Sequence, residues 1–273
     1  MHQLWDAGID YMTVTFNPKH YQRTKALLLI RAEMSKTASE HDKIIPGTMR
    51  GYIGEKQGKL LYGEKDGWLL VQVSGSRSRH IAQLFKDHGI TGKTTRIDFQ
   101  ATCQTSGPIE RYMQEVSSKV EGTTGAEKGR SARNSATYKN RGRPCGMVIG
   151  SRSSENYSRF YNKTLEQRGR VAPNLARAEV ELKGTKAELA WAMYMKSAQP
   201  YYFSCSMVKS DFMRYGVELE WLAKGEKVEL ESSWEKTTVK KQMNWLYTHV
   251  RPTVQKLVGI VGKDAVLDIL GLD

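Results

Sequence analysis

Apolar and polar residues alternate in short runs over the first two thirds of the chain and recur at helical spacing over the last third. Asp10-Tyr-Met-Thr-Val-Thr-Phe16 alternates, is rich in β-branched and aromatic residues, and stops at Asn17-Pro18, so it predicts a strand. Tyr21 to Met34 predicts a helix and residues 35–47 a loop. Met49–Ile53, Leu60–Gly63 and Trp68–Val73 predict three strands joined by glycine-containing turns, as in an antiparallel meander. Ser78 to His88 predicts a helix stopped by Gly89, Thr95 to Thr102 a strand, and Ile109 to Val120 a helix. Val148 to Tyr161 predicts one or two strands, and Leu175 to Lys183 another, ended by Gly184. Thr185 to Met195 predicts a helix with Thr185 as N-cap and Glu188 completing a capping box. Further helices are expected over Phe212–Ala223, over Thr237–Leu257 with a disturbance at Pro252, and over Lys263–Leu270. The pattern is that of an α+β chain, mixed over residues 1–184 and mainly helical over 185–273.

Residues 121–143 change character. Lys128, Arg130, Arg133, Lys139, Arg141 and Arg143 face only Glu121 and Glu127, among glycine, serine and threonine. The stretch reads as a basic loop, either a grip for phosphates or a solvated insertion. A short echo also runs through the chain. Gly75-Ser-Arg-Ser78 precedes Arg96-Ile-Asp-Phe-Gln100, as Gly150-Ser-Arg-Ser153 precedes Arg177-Ala-Glu-Val-Glu181. It fits a sheet built by duplication and equally a chance likeness, because the intervening segments do not match.

Composition narrows the function classes. The 273 residues are 39% hydrophobic and 26% charged, ordinary for a folded chain of one large domain or two modest ones. No apolar run approaches the roughly 20 residues that span a bilayer, and no signal peptide is visible at the N-terminus, so a cytoplasmic location is expected. Cys103, Cys145 and Cys205 are odd in number and far apart, which indicates neither a disulfide framework nor a zinc site. The six histidines form no metal-binding pattern, and no phosphate-loop motif of a nucleotide-driven motor occurs. A formal net charge of +13 favours a polyanionic partner, nucleic acid ahead of an anionic membrane surface. Gly75-Ser-Arg77 could seat a phosphate at a helix N-terminus.

Two constellations could carry chemistry. In Gly150–Lys163, Tyr157, Arg159, Tyr161 and Lys163 stand two apart, so a strand would show all four on one face. Two phenols with two cations suit a phosphodiester, and a tyrosine beside positive charge is a candidate nucleophile. The competing reading has one tyrosine in the core and the cations in solvent. In the two acidic strands, Asp98 with Gln100, and Glu179 with Glu181, share a face opposite Ile97 and Phe99 or Ala178 and Val180. Carboxylates on neighbouring strands could converge on Mg²⁺ or Mn²⁺, which would polarise a scissile phosphate. They could equally form Arg–Glu cross-strand pairs.

Val148-Ile-Gly-Ser-Arg-Ser-Ser, then Arg159-Phe-Tyr-Asn-Lys163, then Arg177-Ala-Glu-Val-Glu-Leu-Lys-Gly184 resemble the Rep_trans family, rolling-circle replication initiators of plasmids and phages with related conjugative relaxases. Asp10–Phe16 and the Arg96-Ile-Asp98 strand share the likeness, which covers roughly residues 10–185. The resemblance implies a fold related to HUH nucleases, with a central antiparallel sheet. It also implies nicking of one strand at an origin hairpin by a tyrosine and a carboxylate-held divalent metal. The protein would stay on the 5′ phosphate while the freed 3′ end primes synthesis. Met147 stands where family members often carry tyrosine, so that position offers no nucleophile here. On this basis Tyr161 is the expected nucleophile with Tyr157 as alternative, Arg159 and Lys163 flank it, and Asp98, Glu179 and Glu181 are the metal ligands. Arg152, Arg130, Arg133, Arg141 and Arg143 are the expected contacts to origin DNA. A host helicase and a second copy of the chain are further candidate partners. A relaxase of a mobile element, or a non-catalytic origin-binding protein, are the alternative functions.

Overall fold

A computed structural model describes residues 2–37, 49–54, 58–123, 135–140, 143–222, 228, 230, 243, 246–263 and 265–266; of 37, 49–54, 121–123, 135–140, 143–144 and 249 it describes the backbone alone. The strands are β1 (Gln3–Phe16), β2 (Met49–Gly54), β3 (Gly58–Lys65), β4 (Trp68–Ser74), β5 (Lys93–Gln104), β6 (Ser135–Asn140), β7 (Arg143–Ile149), β8 (Asn156–Asn162) and β9 (Leu175–Lys183). They form one antiparallel sheet in the order β2-β3-β4-β1-β5-β9-β8-β7-β6. The helices are α1 (Arg23–Thr37), α2 (Ser76–Asp87), α3 (Ile109–Thr123), the short α4 (Lys163–Glu166), α5 (Gly184–Lys196), α6 (Pro200–Met213) and α7 (Arg251–Val261). The α+β class and the central antiparallel sheet agree with the sequence. The chain divides into two units, Met1–Leu230 and Glu231–Asp273, so α5 and α6 belong to the unit that holds the sheet.

β5 and β9 lie side by side at the middle of the sheet, with Asp98 opposite Glu181 and Gln100 opposite Glu179. The two echoing segments are therefore neighbours. Their connections differ: β9 follows β8 directly in the sheet, whereas β1 lies between β4 and β5. Alternation sets the two faces of the central strands. One face of β5 and β8 places Phe99 against Tyr194 of α5 and Phe203 of α6, and Phe160 against Tyr112 of α3 and Phe212 of α6, with ring centroids 5.4–6.4 Å apart. Burying such rings is the main stabilising contribution, about 1.5–3 kcal/mol for each side chain withdrawn from water. The opposite face carries the charges.

Three expectations are corrected. Residues 121–143 are not one loop: 135–140 pair as β6 with β7, although 124–134 and 141–142 lie outside the described residues. Thr185 does not cap α5, because β9 runs straight into that helix and Lys183 is its boundary residue, without a side-chain cap. Gly184 makes this junction at φ +54, and a Cβ there would meet a Glu155 oxygen at 2.7 Å. The helix expected at Phe212–Ala223 is instead α6, ending at Met213. Its buried residues surround it, from Ser204 to Phe212, so no amphipathic stripe marks it; Pro200 in the first turn is the signal that does. The helix expected over Thr237–Leu257 is described from Leu246 and is irregular at Pro252 as expected: a π-helix over Leu246–Val250 runs directly into α7, with Pro252 in its first turn.

Candidate active site

The charged face is built from β1, β5, β9 and β8 in that spatial order. Pairing puts Tyr11, Asp98, Glu181 and Tyr157 in one row across the strands, and Gly8, Gln100, Glu179 and Arg159 in the next. A third row holds Asp6, Thr102, Arg177 and Tyr161. The residues singled out from the two acidic strands and from β8 thus meet on one surface.

This face is not solvated. Asp98 is 1% exposed, Glu179 3% and Glu181 6%, with Gln100 and Thr102 equally buried. Buried charge requires partners. Arg96 grips Asp98 with both ends of its fork, Nε at 2.8 Å and Nη2 at 2.6 Å, and its Nη2 also reaches Glu181 at 2.8 Å. Arg159 Nη2 lies 2.9 Å from Glu179 and 3.7 Å from Asp98, and Lys183 Nζ lies 2.7 Å from Glu181. Arg177 donates to Thr102 at 2.9 Å and to Asp10 at 3.1 Å. Thr102 donates to Gln100, Gln100 to Asp6, and Arg79 of α2 closes the chain on Asp6 at 2.5 Å. Asp6 and Asp10 are parts of the site beyond the residues the sequence singled out, and they could have been found only by knowing that β1 pairs with β5. Gln100, Arg96 and Arg177, which stand on the two acidic strands, join them.

The carboxyls carry the cost of this burial. Asp98 is pushed up to about 6, by burial first and against the opposing pull of Arg96, with Glu181 adding to the rise. Glu179 is pushed up to about 7 by burial, with Arg159 opposing and the charges of Asp10 and Asp98 assisting. Hard carboxylate and amide oxygens crowded against like charge are donors that suit a divalent cation, which would relieve the repulsion. Among the described residues no three acidic, histidine or cysteine side chains gather on one point as a cation cage; the carboxylates are shared among the guanidiniums.

The two tyrosines differ. Tyr157 is 6% exposed, with Arg152 and Arg159 guanidiniums 5.8 Å and 6.0 Å from its ring centre. Tyr161 lies beside Lys163, whose Nζ is 5.7 Å from the ring centre. Burial and then Glu179 raise the Tyr161 phenol well above its ordinary value, and Arg177 only partly offsets them. The expected easing of ionisation by neighbouring cations is thus outweighed. Lys163 does not share the strand face: β8 ends at Asn162, whose side chain caps α4, and Lys163 opens that helix, paired with Glu166 at 2.8 Å. From the other side of β8, Asn156 and Ser158 both donate to Asp211 of α6, Asn156 at 2.6 Å.

Arg152 is exposed on the turn between β7 and β8, which Gly150 opens at φ +90. Arg143 begins β7, its side chain outside the described residues, as are Arg130, Arg133 and Arg141 entirely. The glycine-serine-arginine turn before α2 is a joint: the Gly75 and Ser78 N–H groups donate to Asp10 and Gly75 carbonyls.

The chain is similar to the solved structure of a rolling circle replication initiator protein from Geobacillus stearothermophilus, with TM-score 0.52 and 15% identity over 77% of this chain and 85% of that one. At that identity the likeness is one of fold. The model of the replication initiation factor family, Rep_trans, matches residues 97–270, well over half of the chain, and the protein belongs to that family. The match starts at the strand carrying Asp98 and runs on through the helical region. No curated protein matches the chain. Among the described residues no helix is long and apolar enough to cross a membrane.

Proposed function

We propose that this protein starts rolling-circle replication in the cytoplasm by nicking one strand of origin DNA and later rejoining it through a covalent 5′-phosphotyrosine. The observation that carries the reading is the shared face on which Tyr157 and Tyr161 of β8 stand beside Asp98, Glu179, Glu181 and their arginines, in a chain of the initiator family.

Tyr161 is the nucleophile in this account, with Tyr157 the alternative. The phenol gives up its proton to solvent, and its oxygen forms a bond to the scissile phosphorus. The bond to the 3′ oxygen breaks, and that oxygen leaves as a hydroxyl after taking a proton. One phosphoester replaces another, so the reverse step reseals the strand without an energy source. Asp98, Glu179 and Glu181 would hold Mg²⁺ or Mn²⁺. A cation there would supply charge to polarise the phosphate and to offset the acids that keep Tyr161 protonated. Arg159 and Lys163, next to the tyrosines, stabilise charge building on the phosphate oxygens. Arg152, with Arg130, Arg133, Arg141 and Arg143, holds the DNA backbone. A host helicase and a second copy of the chain are the further partners of this reading.

The test is incubation with a supercoiled origin plasmid and Mn²⁺. Nicked circles with protein covalently attached are the expected product. A retarded complex without nicking would identify an origin-binding protein instead.

A further inference from the structure

Far along β1 from the carboxylates, the chain builds an exposed ring on a rigid base. Phe16, at the end of the strand, is fully buried. His20 packs edge-on to it at 5.3 Å, and Tyr21 lies parallel to His20, 10° from coplanar with ring centres 5.2 Å apart. The tier runs from core to solvent, and Tyr21 at its top is 83% exposed.

The turn beneath is pinned from several directions. The Asn17 side chain accepts from the Lys19 N–H at 3.0 Å, and the Asn17 carbonyl accepts from the His20 N–H at 3.0 Å. His20 Nδ1 accepts from the Gln22 N–H at 3.3 Å, which leaves the ring little freedom. The Gln22 amide spans to the next loop, donating to Gly89 at 2.6 Å and accepting from the Thr91 N–H at 2.7 Å. Lys25 donates to the His88 carbonyl at 2.8 Å. An exposed phenol with its backing ring fixed in this way is pre-organised as a flat surface, so a ring stacking on it would order little else.

Charge says what kind of ring. Residues 17–32 contain no acid, and Lys19 and Lys25, two and four residues from Tyr21, are exposed. An aromatic plane among cations suits a nucleobase, its π-face on the tyrosine and its phosphates near the lysines. The platform lies beyond the site along the same strand: Tyr11 is opposite Asp98, and Phe16 follows five residues later, about 17 Å away, on the face that packs against Phe85 of α2.

We infer that Tyr21, backed by His20, is a stacking platform for one unpaired base of single-stranded DNA. The inference rests on the proposed action on single-stranded origin DNA, and it adds a base contact remote from the chemistry.

Stacking is tolerant of sequence, so the probe need not be the origin. The full chain, Tyr21→Ala and Tyr21→Trp are titrated by fluorescence anisotropy with a labelled 16-nucleotide oligothymidine and with an abasic oligomer of the same length and charge, at one salt concentration. The account expects Tyr21→Ala to bind oligothymidine about ten-fold more weakly, to bind the abasic strand as the parent does, and to keep the parent's Tm. Tyr21→Trp should bind oligothymidine at least as well as the parent. Equal losses on both strands, or no loss on either, would overturn the inference while leaving DNA binding intact. A parent chain that binds neither strand would overturn both the inference and the initiator reading beneath it.

Discussion

Arg159 of β8 faces Glu179 of β9 in register, guanidinium nitrogen 2.9 Å from carboxylate oxygen, and the same nitrogen is 3.7 Å from Asp98 on the next strand. One arginine therefore serves two buried acids on adjacent central strands of the sheet. Removing it leaves both without that compensation. Arg159→Ala should cost about 3 kcal/mol in urea unfolding, the lower end for a broken buried pair because the guanidinium is partly exposed. Arg159→Lys keeps the charge and should cost clearly less. Equal losses would mean that packing, not charge, is what Arg159 supplies.

The same burial sets a pH dependence. Glu179 holds its proton up to about pH 7 in the folded chain, against an ordinary value of 4.5, and Asp98 up to about 6 against 3.8. Between those values the folded protein binds protons that the unfolded chain has released, so stability falls as pH rises through roughly 4 to 7. Glu179→Gln removes one of these groups. Its Tm should fall less than the parent's between pH 5 and pH 7.5, and Mn²⁺ should raise the parent's Tm more at pH 7.5 than at pH 5. Parallel Tm curves for the two proteins would show that Glu179 is not the titrating group.

Asp98→Asn and Glu179→Gln keep shape and remove charge. Each is expected to lower nicking of an origin plasmid in Mn²⁺ about a hundred-fold or more, with the affinity for origin DNA within a few-fold of the parent. Normal nicking by both would remove the carboxylates from the chemistry.

Asp211 reaches β8 from the helix side, taking hydrogen bonds from Asn156 and Ser158 on either side of Tyr157. Asp211→Ala strands the buried Ser158 hydroxyl and the half-buried Asn156 amide, and its expected cost is about 1–3 kcal/mol. Since it loosens the strand that carries the tyrosines, covalent adduct formation should slow even where the variant is fully folded. A folded Asp211→Ala that forms adduct at the parent's rate would make the contact purely structural.

Most of the strands and the face they share were legible in the sequence because alternation is a local property. Tyr157, Arg159, Asp98, Glu179 and Glu181 could be placed on common faces from spacing alone, and register then joined the faces. What spacing does not carry is pairing between distant strands. Asp6 and Asp10 enter the site only because β1 inserts between β4 and β5. Lys163 was assigned to the strand by the same alternation, but the Asn162 cap, a side-chain contact to the backbone, ends the strand one residue earlier. Helix α6 escaped because a helix buried on most sides shows no periodic contrast between apolar and polar residues. Ionisation was the least legible property. Cations beside Tyr161 were visible in the sequence, while the depth of its burial and the nearness of Glu179, which dominate its acidity, were not.

The central claim is that a β8 tyrosine becomes bonded to DNA. The direct measurement mixes the parent, Tyr161→Phe and Tyr157→Phe with end-labelled single-stranded origin DNA and Mn²⁺, then resolves the products on a denaturing gel. Phenylalanine preserves packing and removes only the hydroxyl. The account predicts a covalent band from the parent and from Tyr157→Phe, and none from Tyr161→Phe. Loss of the band in Tyr157→Phe alone would exchange the two roles, and a band of parental intensity from both variants would contradict the claim.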